Sequence, residues 1–280
     1  MKKIIKFFIL LIGISGFAQD DYSIMSYNIR LGSVDDGENH WNKRKQPLVD
    51  LIKYYQPDFL GTQEGQYPQL TFITSGLFGY SYVGKPRTAD ENGEYTAIFY
   101  KTKKFEVIEQ NTFWLSETPD KISKGWDADY ERIATYVLFK DKSNGKQIWI
   151  MNTHFDHIGK EARRNSAKMI LEKVKELKAK KDFPVLVMGD FNSVETDEPI
   201  QIIYEELNDT RKISNSAPYG PENTFTAFEF PAAKEKQILD YIFVSYHPDV
   251  EIKKFAVIDD FYGDGKYPSD HFPVFVNFKY

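Results

Sequence analysis

Pro184-Val185-Leu186-Val187-Met188-Gly189-Asp190-Phe191-Asn192 is an apolar run that stops abruptly at a glycine and two short polar side chains. A run of this length, rich in Val and Leu, predicts a strand buried on both faces, with the glycine letting the backbone turn where the apolar pattern ends. Asp190 and Asn192 then project from a strand end. In sheets covered by helices, ligand sites form at such ends, because a rigid strand positions a loop that stays open to water. Alone, the Asp-Phe-Asn triplet is equally a strand cap that begins a turn. Other strand ends in the chain decide between these readings.

The chain begins with a separate object. Lys2, Lys3 and Lys6 precede an apolar run from Phe7 to Phe17, and Gly16-Phe17-Ala18-Gln19 offers small residues for cleavage, so residues 1–19 read as a secretory signal peptide. The run is too short for a membrane anchor, and a secreted or periplasmic product without membrane insertion is expected. The remainder, 20–280, carries no linker, repeat or low-complexity tract, and roughly 260 residues suit one large domain. The sequence has no cysteine, so its stability rests on its core, for which 41% hydrophobic and 16% aromatic residues are ample. Lys and Arg number 36 against 41 Asp and Glu, a balance of -5; without the three leader lysines it is 33 against 41, or -8. A field of that sign repels polyanions, so a nucleic-acid or anionic-membrane surface would need a local basic patch.

Strands are expected at Tyr22–Arg30, ending near Asn28, at Asp58–Glu64, and through a β-rich middle at Tyr95–Tyr100, Phe105–Trp114, Ile133–Phe139 and Gln147–Met151. Leu48, Leu51, Ile52 and Tyr55 recur at helical spacing from Trp41 until Gln56-Pro57 stops the pattern. Glu161–Lys181 is the clearest helix, with Ala167, Ile170, Leu171, Val174 and Leu177 on one face and solvated lysines on the other. A short helix near Glu198–Leu207 and strands at Ile238–Val244 and Phe272–Phe278 follow. Residues 116–132 form an acidic, aromatic loop. Strands and helices alternate only in part, which points to an α/β chain of mixed sheets covered by helices.

The strand ends deliver Asn28, Glu64, His154, Asp190, Asn192, Asp240 and the pair Asp270-His271. There are no thiolates and no helix-borne His-x-x-x-His pair, so zinc is poorly served. Carboxylates and an amide suit Mg²⁺ or Mn²⁺ instead, and the histidines remain to move protons. A hard cation beside His and Asp is what phosphate-ester hydrolysis requires.

The ordered series Ser-Tyr-Asn28, Gln-Glu64, Asn-Thr-His154, Gly-Asp190-Phe-Asn192, Leu-Asp240-Tyr and Ser-Asp270-His271 resembles the endonuclease/exonuclease/phosphatase superfamily from about Tyr22 to the C-terminus. The resemblance implies a four-layer α/β sandwich, two mixed β-sheets packed face to face with helices on the outer faces. It implies Glu64 as the main metal ligand with Asn28 and Asp270 near the ion. Asp190 would orient or deprotonate the attacking water, and Asn192 would donate to the phosphate. His271, held by Asp240, would stabilise the transition state, and Glu94 would pair with His154. Arg132 would contact phosphate, while His157 falls outside the matched motif. Aromatics of the 116–132 loop, Trp126 among them, and of Phe225–Phe230 wall a substrate pocket or belong to the core.

Fold and metal do not choose a substrate. A small phosphorylated molecule such as a sugar phosphate is favoured by the charge balance, a nuclease is the alternative, and a catalytically silent glycan-binding protein is the rival from another class. A monomer is expected.

Overall fold

The computed structural model describes residues 21–232 and 236–280; the leader expected over 1–19 lies outside them. Along the chain run β1 (Asp21–Asn28), α1 (Trp41–Tyr55), β2 (Phe59–Gly65), α2 (Tyr67–Gly76), β3 (Tyr80–Val83), β4 (Tyr95–Lys101), β5 (Phe105–Trp114) and β6 (Ile133–Asp141). There follow β7 (Gln147–His154), α3 (Lys160–Lys180), β8 (Val185–Asp190), α4 (Glu198–Ile203), β9 (Leu207–Asp209), α5 (Thr210–Ile213), β10 (Asp240–Ser245), β11 (Glu251–Val257) and β12 (Val274–Lys279).

The strands form two six-stranded sheets, ordered β11-β12-β1-β2-β4-β3 and β5-β6-β7-β8-β10-β9. Both are mixed, because each contains one parallel pair, β1 with β2 and β7 with β8. A helix crosses back within each pair, α1 in the first sheet and α3 in the second. Ile24, Phe59 and Ile98 of one sheet meet Val137, Ile150, Leu186 and Ile242 of the other in a single apolar cluster. Leu48 and Ile52 of α1 cover the outside of the first sheet, and Ile170, Val174 and Leu177 of α3 cover the second. The result is the four-layer α/β sandwich.

This topology gathers chemistry at one end. Parallel strands place Asn28, Glu64, His154 and Asp190 at or near their carboxyl ends. Antiparallel β10 begins where β8 stops, so Asp240 sits opposite Asp190. In the same way β12 pairs with β1 from Val274 opposite Ser26, which brings the residues just before it, Asp270 and His271, to the end of β1.

Gly189 works differently from its expected role as a turn. β8 runs straight through it to Asp190, and its φ of +156° lets β8 lie against β7, where an added Cβ would stand 2.1 Å from the Thr153 carbonyl oxygen. The lysines of α3 are solvated as expected, and several pair with acids, Lys175 with Glu206 at 2.9 Å and Lys180 with Glu109 at 2.6 Å.

Near the site the seam between the sheets turns polar. Asn152 of β7 donates through Nδ2 to the carbonyls of Thr62 and Ala97, both at 2.9 Å, and accepts from Gln63 Nε2 at 2.6 Å. Replacing it by Leu leaves three buried groups short of a partner, each worth about 1–3 kcal/mol. Asn152→Leu is therefore expected to lower the unfolding free energy in urea by about 3 kcal/mol. A midpoint equal to that of the wild type would show that the seam does not depend on this amide.

Candidate active site

Asp190 is the centre of the cluster at the sheet ends. Its Oδ2 accepts from Asn28 Nδ2 at 3.0 Å, and the Nε2 atoms of His154 and His271 lie 3.6 and 3.7 Å from the same oxygen. Its Oδ1 accepts from the Asn192 backbone N–H at 2.9 Å. Burial, reinforced by the charge of Asp240, pushes the Asp190 carboxyl up to about 7.

The two histidines are held in opposite states. For His271 burial disfavours the cation, but Asp240 at 2.8 Å from Nδ1, with Asp190 behind it, outweighs that and holds the imidazole well above its ordinary range. For His154 burial and the charges of Arg132 and Arg87 act together and push it well below. Phe225 packs edge-on to His271 with ring centroids 5.0 Å apart.

Glu64 stands at a β-bulge between Thr62 and Gly65, with φ +63°. That irregularity aims its carboxylate inward, where Oε1 accepts from Asn28 Nδ2 at 3.0 Å and Oε2 from the Leu31 N–H at 2.9 Å. Burial raises Asp270, the charge of Glu64 adds to the effect, and His271 opposes it. Two carboxylates that repel each other in a buried wall suit a cation between them. Asn28 turns its amide nitrogen to Glu64 and Asp190 while its Oδ1 accepts from the Arg30 N–H at 3.1 Å, so it ties those two carboxylates together.

Asp190, Asp240 and His271 form a second group consistent with a metal site: all are buried, and their ligand atoms lie within 4.8 Å of one another. Asp240 Oδ1 is buried with no hydrogen-bond partner among the described residues. In this group, however, Asp240 Oδ2 and His271 Nδ1 are already bonded to each other. Both groups are rich in carboxylate oxygen, the chemistry a hard divalent cation requires.

A cavity of about 560 Å³ opens over the cluster, lined among others by Glu64, Glu94, Arg132, Asp190, Asn192 and Asp270. Glu94, expected to pair with His154, instead holds Arg87 through contacts of 2.6 and 2.9 Å. Arg132 reaches Asp156 at the end of β7, Nε to Oδ2 at 3.1 Å, and its Nη2 lies 3.1 Å from His157 Nδ1. Trp126, expected to wall the substrate, is not among the lining residues. Tyr130 takes that place, stacked on His157 at 5.9 Å with the Arg87 guanidinium 4.9 Å from its ring. Tyr130 and Phe228 belong to the two aromatic segments expected to wall a pocket or join the core, whereas Arg30 and Arg87 line the cavity without having been singled out by the sequence. Arg30 alone had a signal, standing two positions after Asn28. Five non-glycine lining residues, Arg30, Glu64, Asn192, Ala227 and Phe228, have positive φ, so backbone strain is concentrated here.

Residues 25–271 match the endonuclease/exonuclease/phosphatase family, nearly the whole of the described chain. The chain belongs to this family. An endonuclease/exonuclease/phosphatase family protein from Bacteroides thetaiotaomicron is 36% identical with a TM-score of 0.89, covering 94% of this chain and 96% of its own. A mannosyl-6-phosphatase from the same organism is 37% identical with a TM-score of 0.88, over 92% of this chain and 100% of its own. Nocturnin from Homo sapiens is 24% identical over 92% of this chain, which spans 65% of that protein's length. Within the family frame, the paired sheets are what bring six separate motifs to one cluster, four of them lining the cavity.

The Asp156 network supports the arginine side of that cavity. Burial opposes its ionisation, but the N–H groups of Gly159 and Ile158, with Arg132, outweigh burial and bring it down to about 2. Its folded value lies below the ordinary 3.8, so its contribution is present above 3.8 and lost as pH falls through about 2. Asp156→Asn is expected to cost about 2 kcal/mol at neutral pH. In acid titrations of thermal stability, the difference from wild type should shrink between pH 3.8 and about 2; a pH-independent difference would contradict the assignment.

Proposed function

We propose that this protein is a secreted or periplasmic, Mg²⁺- or Mn²⁺-dependent phosphomonoesterase acting on a small sugar phosphate of the mannose 6-phosphate class. Phosphoester hydrolysis is supported above all by the convergence of Asn28, His154 and His271 on one oxygen of Asp190. The sugar phosphate is supported by a cavity of about 560 Å³, the size of a small-ligand site, and by the mannosyl-6-phosphatase at 37% identity. Residues 1–19 would carry the chain out of the cytoplasm. Among the described residues no helix is long and apolar enough to cross a membrane.

Asp190, raised to about 7, is a carboxylate whose proton affinity suits removal of a proton from water near neutral pH. His271, kept protonated by Asp240, directs Nε2–H at the same point and stabilises negative charge on a phosphoryl or leaving oxygen. His154, held neutral, can accept or relay a proton. Asn192 spends one amide hydrogen on the Phe155 carbonyl at 2.9 Å and keeps the second for the phosphate. Arg132 and Arg87 add positive charge at the mouth, suited to a dianionic ester. Glu64 and Asp270 are the residues that would hold the divalent cation, because placing it on Asp240 and His271 would break their mutual bond. When bound, the cation would neutralise charge on the phosphoryl oxygens.

A nuclease is the second reading, favoured by the likeness to the CCR4-Not complex 3'-5'-exoribonuclease subunit of Candida albicans at 23% identity. The mature balance of -8 opposes a long polyanion. Purified mature protein with Mg²⁺ should turn over mannose 6-phosphate with a higher kcat/KM than plasmid DNA or RNA, and excess chelator should abolish turnover. Rapid nucleic-acid cleavage that falls steeply with salt, beside negligible release of phosphate from sugar phosphates, would establish the nuclease instead. No hydrolysis of any ester would favour the silent binding protein.

His271→Ala and His154→Ala are each expected to lower kcat by about 10²–10⁴-fold. Asp240→Asn, which keeps the shape but weakens the hold on His271, should cost less, and Glu64→Gln should raise the Mg²⁺ concentration needed for half activity. A wild-type rate in either histidine variant would remove that residue from the mechanism.

A further inference from the structure

Phe228 lines the active-site cavity, and two residues on the chain reaches a second, shallower groove. Phe230, 47% exposed, lies with its ring 5.1 Å from Phe261 and 5.5 Å from Tyr267. Phe261 is 59% exposed. Gly265, at φ +89°, lets the Phe230 ring settle on the backbone, since an added Cβ would stand 2.5 Å from the ring. Asp259 and Asp260 complete a groove of about 470 Å³ with these three aromatics. Phe261 and Asp260 also border a further depression of about 270 Å³. Asp260 accepts from the Tyr55 hydroxyl at 3.1 Å, whereas no hydrogen bond or ion pair is formed by Asp259 among the described residues.

The exposed rings of Phe230 and Phe261, backed by the buried Tyr267 and set beside carboxylates, select the ligand chemistry. A neutral saccharide presents C–H faces that pack on the rings and hydroxyls that donate to Asp259 and Asp260. An anionic polymer is repelled by those carboxylates and by Asp264 nearby in sequence. The groove also lies close to the catalytic cavity along two segments of the chain. Phe228 and Phe230 are separated by one residue, and Tyr267 precedes Asp270 by three. An occupant of the groove is therefore naturally the part of a substrate that lies beyond its phosphorylated end.

We propose that the Phe230–Phe261–Tyr267 groove is a saccharide subsite, so that the phosphate removed is carried by an oligosaccharide rather than by a free sugar. The link to catalysis rests on the sugar-phosphatase reading; binding in the groove does not. Two measurements separate them: kcat/KM on mannose 6-phosphate and on mannotriose phosphorylated at its terminal sugar, and saturation-transfer NMR with unphosphorylated mannotriose. Wild type should prefer the phosphorylated trisaccharide by about tenfold, through KM, an amount of binding energy reasonable for one ring contact. Phe261→Ala should abolish that preference and the mannotriose signal while leaving turnover of mannose 6-phosphate unchanged. Asp259→Asn, on an exposed side chain, should weaken both in the same direction and serves if Phe261→Ala melts early. An equal preference in wild type and variants, or no mannotriose signal in wild type, overturns the subsite. A mannotriose signal lost in Phe261→Ala, beside no turnover of any sugar phosphate, supports the subsite and overturns the phosphatase reading instead.

Discussion

The bond from Asn28 Nδ2 to Asp190 Oδ2, 3.0 Å long, joins the end of the first sheet to the end of the second. A carboxylate sealed between two sheets survives only if neighbouring donors compensate its lost hydration. Here the Asn28 amide from the first sheet and the Asn192 N–H just beyond β8 donate to it, and the His271 imidazolium, from the turn into β12, stands 3.7 Å away as a countercharge. Each depends on strand register. The ends of β1 and β8 must meet, β10 must start opposite Asp190, and β12 must enter beside β1. The polar seam around Asn152, immediately beneath, fixes the spacing of the sheets where the site needs it.

Arg44 shows how far that constraint reaches. It is fully buried on α1, and its guanidinium donates to the carbonyls of Asn39, Ile29, Arg30 and Pro268. It thereby fastens the segment after Asn28 to the segment before Asp270. Burial lowers its affinity for a proton, and the charge of Asp270 partly restores it. A cation held by carbonyls and by the Trp41 and Phe228 rings, with no carboxylate bonded to it, keeps the positive charge under the site available to the surrounding acids.

Much of this architecture is legible in the chain because apolar strands that end in single polar residues announce both the sheet and its functional end. β1, α1 and β5 lie within a residue or two of where the pattern puts them. α2 escaped because it buries only Gln69, Leu70 and Ile73, and its capping box is built from two glutamines, Gln66 and Gln69. β3, β9 and β11 lack a strong apolar signal and are defined by pairing across the sheet edges. Arg44 carries no motif, and only the fold sets the Ile29 and Pro268 carbonyls around it. Arg87 and Tyr130 sit on loops without a motif, and only the fold brings them to Arg132 and His157. Glu94 shows the converse: its motif is recognisable, but its nearest cation, Arg87, lies in a loop that the motif does not include.

The central claim is that Asp190 and its partners direct water onto phosphorus, and the fate of the water oxygen tests it most directly. Hydrolysis of mannose 6-phosphate in water enriched with heavy oxygen, followed by mass spectrometry of both products, should place one heavy atom in the released phosphate and none in the sugar. Asp190→Asn should slow the reaction without changing where the label goes. Heavy oxygen in the sugar hydroxyl, or a fully active Asp190→Asn enzyme, would contradict the account.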